Sequence, residues 1–158
     1  MRKRISALIF ALSCLMLFSG LAAAQSRASV SAGEVNGTFR MNFSGKFKGS
    51  SSEIKILALG GGKLRVGMDL IYPYTMQNGE LMANMGTLDG TAMIDGDTAV
   101  YNSDEMGKCT ITIKFVKLGT IKVSQEGTDA ACGFGHNVMS DGTYKKVNSK
   151  KPKFESPN

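Results

Sequence analysis

Residues 60–72 read Gly-Gly-Gly-Lys-Leu-Arg-Val-Gly-Met-Asp-Leu-Ile-Tyr, and this stretch decides the fold class. After the glycines every second residue is apolar, namely Leu64, Val66, Met68, Leu70 and Tyr72. Such alternation is typical of a β-strand with one buried face. Residues 54–58 alternate in the same way before the glycines, which favour a turn, so the sequence predicts a β-hairpin.

The same alternation extends along most of the chain. It predicts about eight short strands, in residues 38–43, 53–58, 64–72, 81–94, 98–102, 109–115, 121–124 and 142–147. Helical folds are excluded, because no stretch has a convincing helical period. We predict an all-β fold with one domain over residues 37–147, an antiparallel up-and-down barrel, because closure removes exposed strand edges. A two-sheet β-sandwich is the alternative.

Matching the apolar faces fixes a register near the end of the chain. Residue 113 should pair with 123 and residue 115 with 121, which leaves residues 117–119 as a loop with Gly119 in a left-handed conformation. Gly86 and Gly90 are expected to permit a bend or bulge in their strand.

The first 24 residues have the features of a bacterial secretory signal peptide. Arg2-Lys3-Arg4 precede an apolar run, and Ala22-Ala23-Ala24 supply small residues for cleavage before Gln25. We therefore predict a signal peptide over residues 1–24, a flexible leader over 25–36, and location in the periplasm or outside the cell.

The charges of the processed chain are unevenly placed. Without residues 1–24 it has 16 basic and 13 acidic residues, and residues 145–158 hold five lysines against Glu155. The preceding body has a net charge of −1, which argues against a nucleic-acid-binding domain. We expect residues 148–158 to form a Lys-rich flexible tail that makes at most peripheral membrane contact.

Signal cleavage removes Cys14 and leaves Cys109 and Cys132 as a pair. In an oxidising compartment these two residues are expected to form a disulfide. A metal site is not expected, because His136 is the only histidine that could join the cysteines as a ligand.

The segment that begins at Cys132 is the candidate binding region. It reads Cys-Gly-Phe-Gly-His-Asn-Val, and it would present Phe134, His136 and Asn137, with Tyr144 nearby, to a partner. The competing interpretation is structural, with the glycines shaping the backbone while Phe134 plugs the barrel mouth.

Catalytic machinery is not evident in the sequence. There is no Gly-x-Ser-x-Gly elbow, and the disulfide would consume the thiol of a Cys-His pair, so we predict a binding protein rather than an enzyme, without cofactor or metal. Of the methionines, Met41, Met68 and Met93 fit strand interiors, whereas Met76, Met82 and Met85 cluster near a turn.

Large side chains are expected to fill the barrel interior. The predicted inward residues include Phe39, Phe43, Met68, Tyr72 and Phe115. A filled barrel favours a monomeric envelope or binding protein with a protein partner, such as an inhibitor of a cell-wall hydrolase. The alternative is a carrier of a small apolar ligand in a hollow barrel.

Three resemblances accompany these patterns. Gly37-Thr38-Phe39 resembles the Gly-x-Trp opening of lipocalin-type barrels. The stretch from Cys109 through Phe154, with Gly142-Thr143-Tyr144, is similar to a group of uncharacterised small exported bacterial proteins. Ser140 to Tyr144 resembles the Ser-Gly-x-x-Tyr loop of periplasmic lysozyme inhibitors, which implies a small exported barrel that binds a lysozyme.

Overall fold

The computed structural model describes residues 29–117 and 119–154, and it confirms the all-β barrel. One α-helical turn and eight antiparallel strands follow in chain order: α1 Ala32–Val35, β1 Gly37–Asn42, β2 Ser51–Gly60, β3 Lys63–Thr75, β4 Leu81–Asp95, β5 Thr98–Ser103, β6 Cys109–Lys117, β7 Thr120–Glu126 and β8 Gly142–Asn148. Two 3₁₀ turns, Gly45–Phe47 and Ala130–Cys132, lie in the connections before β2 and before β8. The predicted signal peptide, residues 1–24, lies outside the described residues.

Each strand pairs with its neighbours in sequence, and β8 pairs with β1 to close the barrel. Because successive strands reverse direction, the connections alternate between two ends. Tight turns at residues 61–62 and 96–97 lie at what we call the turn end. Longer connections, residues 43–50, 76–80, 104–108 and 127–141, lie at what we call the loop end.

The register predicted between β6 and β7 is confirmed. Ile113 pairs with Val123, Phe115 pairs with Ile121, and Gly119 has a φ of 69°. The predicted three-residue loop is too long, because a register shift after Phe115 allows Lys117 to pair with Thr120.

Apolar side chains from every strand meet inside the barrel. Residues with no more than 2% of their surface exposed include Phe39, Ile54, Ile56, Leu64, Val66, Met68, Leu70, Ile111, Ile113, Phe115, Ile121 and Tyr144. The rings of Phe39 and Phe115 meet edge to face, with centroids 6.3 Å apart. The interior is therefore packed with the protein's own side chains.

Three residues predicted to point inward do not lie in the core. Tyr72 is 41% exposed because β3 continues beyond its pairing with β2, which ends at Asp69. Phe43 follows the last residue of β1 and is half-buried. Met93 is 54% exposed because the inward position of β4 belongs to Ala92.

Of the bend or bulge expected at Gly86 and Gly90, the bulge is absent. The β3–β4 ladder runs without a register shift from Lys63↔Met93 to Thr75↔Leu81. The two glycines instead leave space for rings from elsewhere: a methyl group on Gly90 would lie 2.5 Å from the Tyr101 ring. The space beside each of these glycines of β4 is thus occupied by a side chain of another element.

The predicted flexible leader, residues 25–36, contains α1 in its described part. Ser31 and Glu34 form a reciprocal capping box, which satisfies backbone donors at the start of the turn. Val35 is buried, so this segment covers the turn end of the barrel. The helices in the described part of the chain are too short to cross a membrane.

The predicted flexible tail, residues 148–158, also makes contacts in its described part. Phe154 lies over Gly67, where a methyl group would come within 3.1 Å of the ring. The Arg65 guanidinium lies 4.4 Å from the ring centroid. The chain after β8 is therefore fastened to the outer wall of β3.

Candidate functional site

The connection between β7 and β8, residues 127–141, seals a gap between β4 and β5. The β4–β5 ladder comprises three residue pairs, from Met93↔Val100 to Asp95↔Thr98, near the turn end. Toward the loop end, Gly135 donates its N–H to the Met85 carbonyl at 3.0 Å, and Phe134 packs against Gly86. This connection, which we call the sealing loop, therefore occupies the position of a missing strand partner beside β4.

The disulfide anchors the sealing loop to the first residue of β6. Cys109 and Cys132 are bonded, with 5.0 Å between their Cα atoms. Cys109 is buried, and Gly127 lies so close to the start of β6 that a methyl group there would clash with the Lys108 carbonyl. The predicted bridge is thus present, at the place where β7 ends beside the start of β6.

Asp129 organises the middle of the sealing loop. Its carboxylate accepts hydrogen bonds from the backbone N–H groups of Ala130 and Asn137. These two donors lower the pKa of the Asp129 carboxyl below its usual value, and the Ala130 N–H has the larger effect. Asn137 has a φ of 62°, a left-handed conformation that asparagine tolerates well, so it turns the chain back toward β8.

Gln125 and Tyr144 hold the other end of the sealing loop. The Gln125 Oε1 accepts hydrogen bonds from the Ser140 N–H at 2.9 Å and its hydroxyl at 3.0 Å. The buried Tyr144 hydroxyl donates to the Ser140 carbonyl at 3.0 Å, and burial raises the pKa of Tyr144. These hydrogen bonds fix this end of the sealing loop to β7 and β8.

The four predicted binding residues have different environments. Phe134 is 6% exposed and Tyr144 is fully buried, so both are core residues in this structure. Asn137 shapes the backbone. The His136 side chain is 83% exposed, with Nδ1 3.8 Å from the Asp129 carboxylate, and its carbonyl accepts from the Asn84 amide at 2.7 Å.

A cluster of exposed apolar side chains at the loop end was only partly recognised from the sequence. It comprises Tyr72, Met76, Leu81, Met82, Met85, Met106 and Met139, all at least 40% exposed, and we call it the rim. The first five belong to the β3–β4 hairpin where it projects past β2, with Tyr72 and Met82 on the inner face of the hairpin and Leu81 and Met85 on its outer face. Met106 reaches the sealing loop, where a methyl group on Gly133 would lie 3.6 Å from its sulfur.

Acidic residues accompany the rim. The three connections that carry its loop methionines, residues 76–80, 104–108 and 127–141, contain Glu80, Asp104, Glu105, Asp129 and Asp141 against one lysine, Lys108. The rim therefore combines flexible thioethers with negative charge, a combination suited to a basic surface with apolar patches.

Within residues 29–117 and 119–154, no group of three or more His, Cys, Asp or Glu side chains is arranged to hold a metal ion. At the turn end an open groove of about 510 Å³ is lined by residues of α1 together with Gly119, Lys146 and Ser149. Its cation is already engaged, because the Lys146 Nζ donates to three backbone carbonyls.

Comparison of the chain with family models, curated proteins and solved structures found no match in any of the three.

Proposed function

We propose that this is an exported, non-enzymatic binding protein whose rim binds a protein partner with a basic and apolar surface. The observation that carries the proposal is the exposed methionine cluster beside a loop fixed by a disulfide. Large exposed apolar patches mark interaction sites, and methionine adapts its shape to a partner. A loop held in place beforehand avoids much of the ordering cost of association.

The filled core supports this proposal over a carrier of a small apolar ligand. A hollow eight-stranded barrel could enclose one ligand, but the interior here is occupied by side chains such as Phe39, Met68 and Phe115. The disulfide supports an oxidising compartment, and together with the N-terminal sequence it favours the periplasm or the extracellular space.

A cell-wall hydrolase such as lysozyme is the partner that we propose to test first. Hydrolases of this kind share the compartment, and a basic one would be attracted by the acidic rim connections. The experiment measures lysis of peptidoglycan by lysozyme with increasing amounts of the processed protein, together with binding by calorimetry. Inhibition at micromolar protein supports the proposal, and absence of both inhibition and binding discards lysozyme as the partner.

Two rim substitutions and one control substitution locate the binding surface. Met85→Gln and Met106→Gln alter rim residues that are 67% and 69% exposed, whereas Met93→Gln alters a residue that is 54% exposed near the turn end. The two rim variants together should weaken binding about tenfold or more, as expected for contact residues. Equal weakening by Met93→Gln would contradict the assignment to the rim.

A further inference from the structure

Two sides of the barrel differ in how their outward cations are paired. On the wall formed by β1 to β4, each of three cations has a carboxylate on the neighbouring strand: Arg40 with Glu53 at 2.8 Å, Lys55 with Asp69 at 3.3 Å and Arg65 with Asp89 at 2.7 Å. Charge at these three positions is therefore locally balanced, whereas Lys63, at the turn end of β3, takes part in no salt bridge with the described part of the chain.

On β6 to β8 the cations have no such partners. Lys114 lies directly opposite Lys122, while Lys117 and Lys145 both pair with Thr120. We call these four lysines the basic wall. None of them takes part in a salt bridge with the described part of the chain. Glu126, the acidic residue of these three strands, lies at the loop end of β7.

Like charges opposite each other on adjacent strands reduce the stability of a sheet. A protein that keeps Lys114 opposite Lys122 therefore gains no folding advantage from the pair. An anionic partner outside the chain would convert this repulsion into attraction, because it neutralises both charges at once.

The described part of the tail adds positive charge. Lys150, Lys151 and Lys153 are exposed, while Pro152 and Phe154 between and beyond them are half-buried. Since Phe154 is fastened over Gly67, the tail lysines are held near the barrel after β8 rather than extending freely from it. Because β3 belongs to the side on which the charges are paired, the tail leads away from the basic wall, and its lysines are not part of it.

We propose that the basic wall binds the anionic surface of a phospholipid membrane, which leaves the rim free for its partner. The charges are lysines on the outward face of a sheet, separated by short side chains such as Thr112 and Thr143. Lysine ammonium groups act as point charges that respond to the spread field of anionic lipids. A bound polyanionic chain would instead favour arginine forks or stacking aromatic side chains.

The exposed side chain of Val147 is consistent with a membrane that contacts β8. It follows Lys145 by two residues on β8, at the register shift of the β1–β8 ladder, and it is 50% exposed. A small apolar side chain among lysines can reach the headgroup region of a lipid surface without needing to insert deeply.

Vesicle cosedimentation with the processed protein tests the proposal. Vesicles with about 30% phosphatidylglycerol in phosphatidylcholine should bind the protein at low salt, and pure phosphatidylcholine should not. Raising the salt to about 0.5 M should release it, because the Debye length then falls to a few ångströms. The double variant Lys114→Gln/Lys122→Gln should bind roughly tenfold more weakly or worse.

The matched control is Lys46→Gln/Lys48→Gln, which removes the same charge from exposed positions at the loop end. This control should change vesicle binding less than twofold, roughly the effect of net charge alone. Circular dichroism verifies that each variant is folded. The proposal is overturned if phosphatidylglycerol vesicles do not bind the native protein, if the control is equally impaired, or if heparin binds the protein and vesicles of matched charge do not. Because the rim takes no part in this assay, the outcome is separate from that of the lysozyme experiment.

Discussion

The ring of Phe134 lies against the backbone of Gly86, so closely that a methyl group on Gly86 would be 2.9 Å from three atoms of Phe134. Gly86 occupies an inward position of β4, opposite Leu70 of β3. The glycine therefore provides the space that the sealing loop fills, and the loop is part of the barrel core.

Phe134→Ala should lower the free energy of unfolding by about 3 kcal/mol, because it removes a buried aromatic ring and leaves a cavity. Urea unfolding followed by circular dichroism measures this change. The structure favours this outcome over a role as an exposed binding anchor, for which stability would be nearly unchanged and only partner affinity would fall.

Gly86→Ala extends the test through a double-mutant cycle. In the native background the added methyl group meets the Phe134 ring and should cost about 1–3 kcal/mol of stability. In the Phe134→Ala background the space is free, and the same substitution should cost much less. Additive effects would show that the two residues are not in contact.

Local alternation was sufficient to predict the strands, because a strand that buries one face shows its period in its own residues. It also predicted the β6–β7 register, since both apolar faces had to coincide. The partner of Gly86 could not be predicted in this way. A missing side chain on β4 indicates that something approaches, but Phe134 lies 48 residues later along the chain.

The same limit applies to the rim. The sequence placed Tyr72 inside because its alternation continues that of Leu70, but alternation does not show that β2 stops pairing before β3 ends. Cross-strand pairs such as Arg65 with Asp89 likewise depend on the β3–β4 register. The contrast between cations with and without a carboxylate partner therefore depends on strand register, and local sequence patterns do not predict it.

Removing the disulfide should destabilise the sealing loop. Cys109→Ala/Cys132→Ala opens a bridge between residues separated by 23 positions, which should lower the free energy of unfolding by about 3 kcal/mol. Hydrogen exchange should show the largest loss of protection in residues 127–141. Uniform loss across all eight strands would contradict a local role, and reduction of the native protein provides an independent comparison.

Acid should loosen the sealing loop before it unfolds the barrel. The folded-state pKa of Asp129 is lowered by backbone donors, so its stabilising contribution is present above the ordinary Asp pKa of about 4 and is lost as the pH falls through the lower folded value. The amide signals of Ala130 and Asn137 should therefore shift in NMR spectra recorded below about pH 4. Asp129→Asn should abolish this titration. Asp104→Asn, which removes the same charge from a neighbouring connection, should leave it in place.

Phe154→Ala should release the tail from β3. The ring contacts Gly67 and lies near the Arg65 guanidinium, and both contacts disappear with the substitution. Limited trypsin digestion should then cleave after Lys150 and Lys153 several-fold faster, which mass spectrometry can follow. Leu59→Ala removes an exposed apolar side chain and serves as the control. Equal digestion rates of native protein and Phe154→Ala would show that the contact does not restrain the tail.

Lys146 should be required for the N-terminal turn to stay on the barrel. Its Nζ donates to the carbonyls of Gly33, Glu34 and Asn36 at 2.7–2.9 Å, and it lies 5.0 Å from the centroid of the Phe39 ring. Lys146→Met keeps the length of the side chain but leaves three carbonyls without this donor, which should cost about 1–3 kcal/mol. We expect the loss to appear as faster hydrogen exchange in residues 32–37, while the β6–β7 ladder keeps its protection. Lys145→Met, at the exposed neighbouring position, controls for the lost charge. If Lys145→Met has the same effect on residues 32–37, the three hydrogen bonds are not what holds α1 in place.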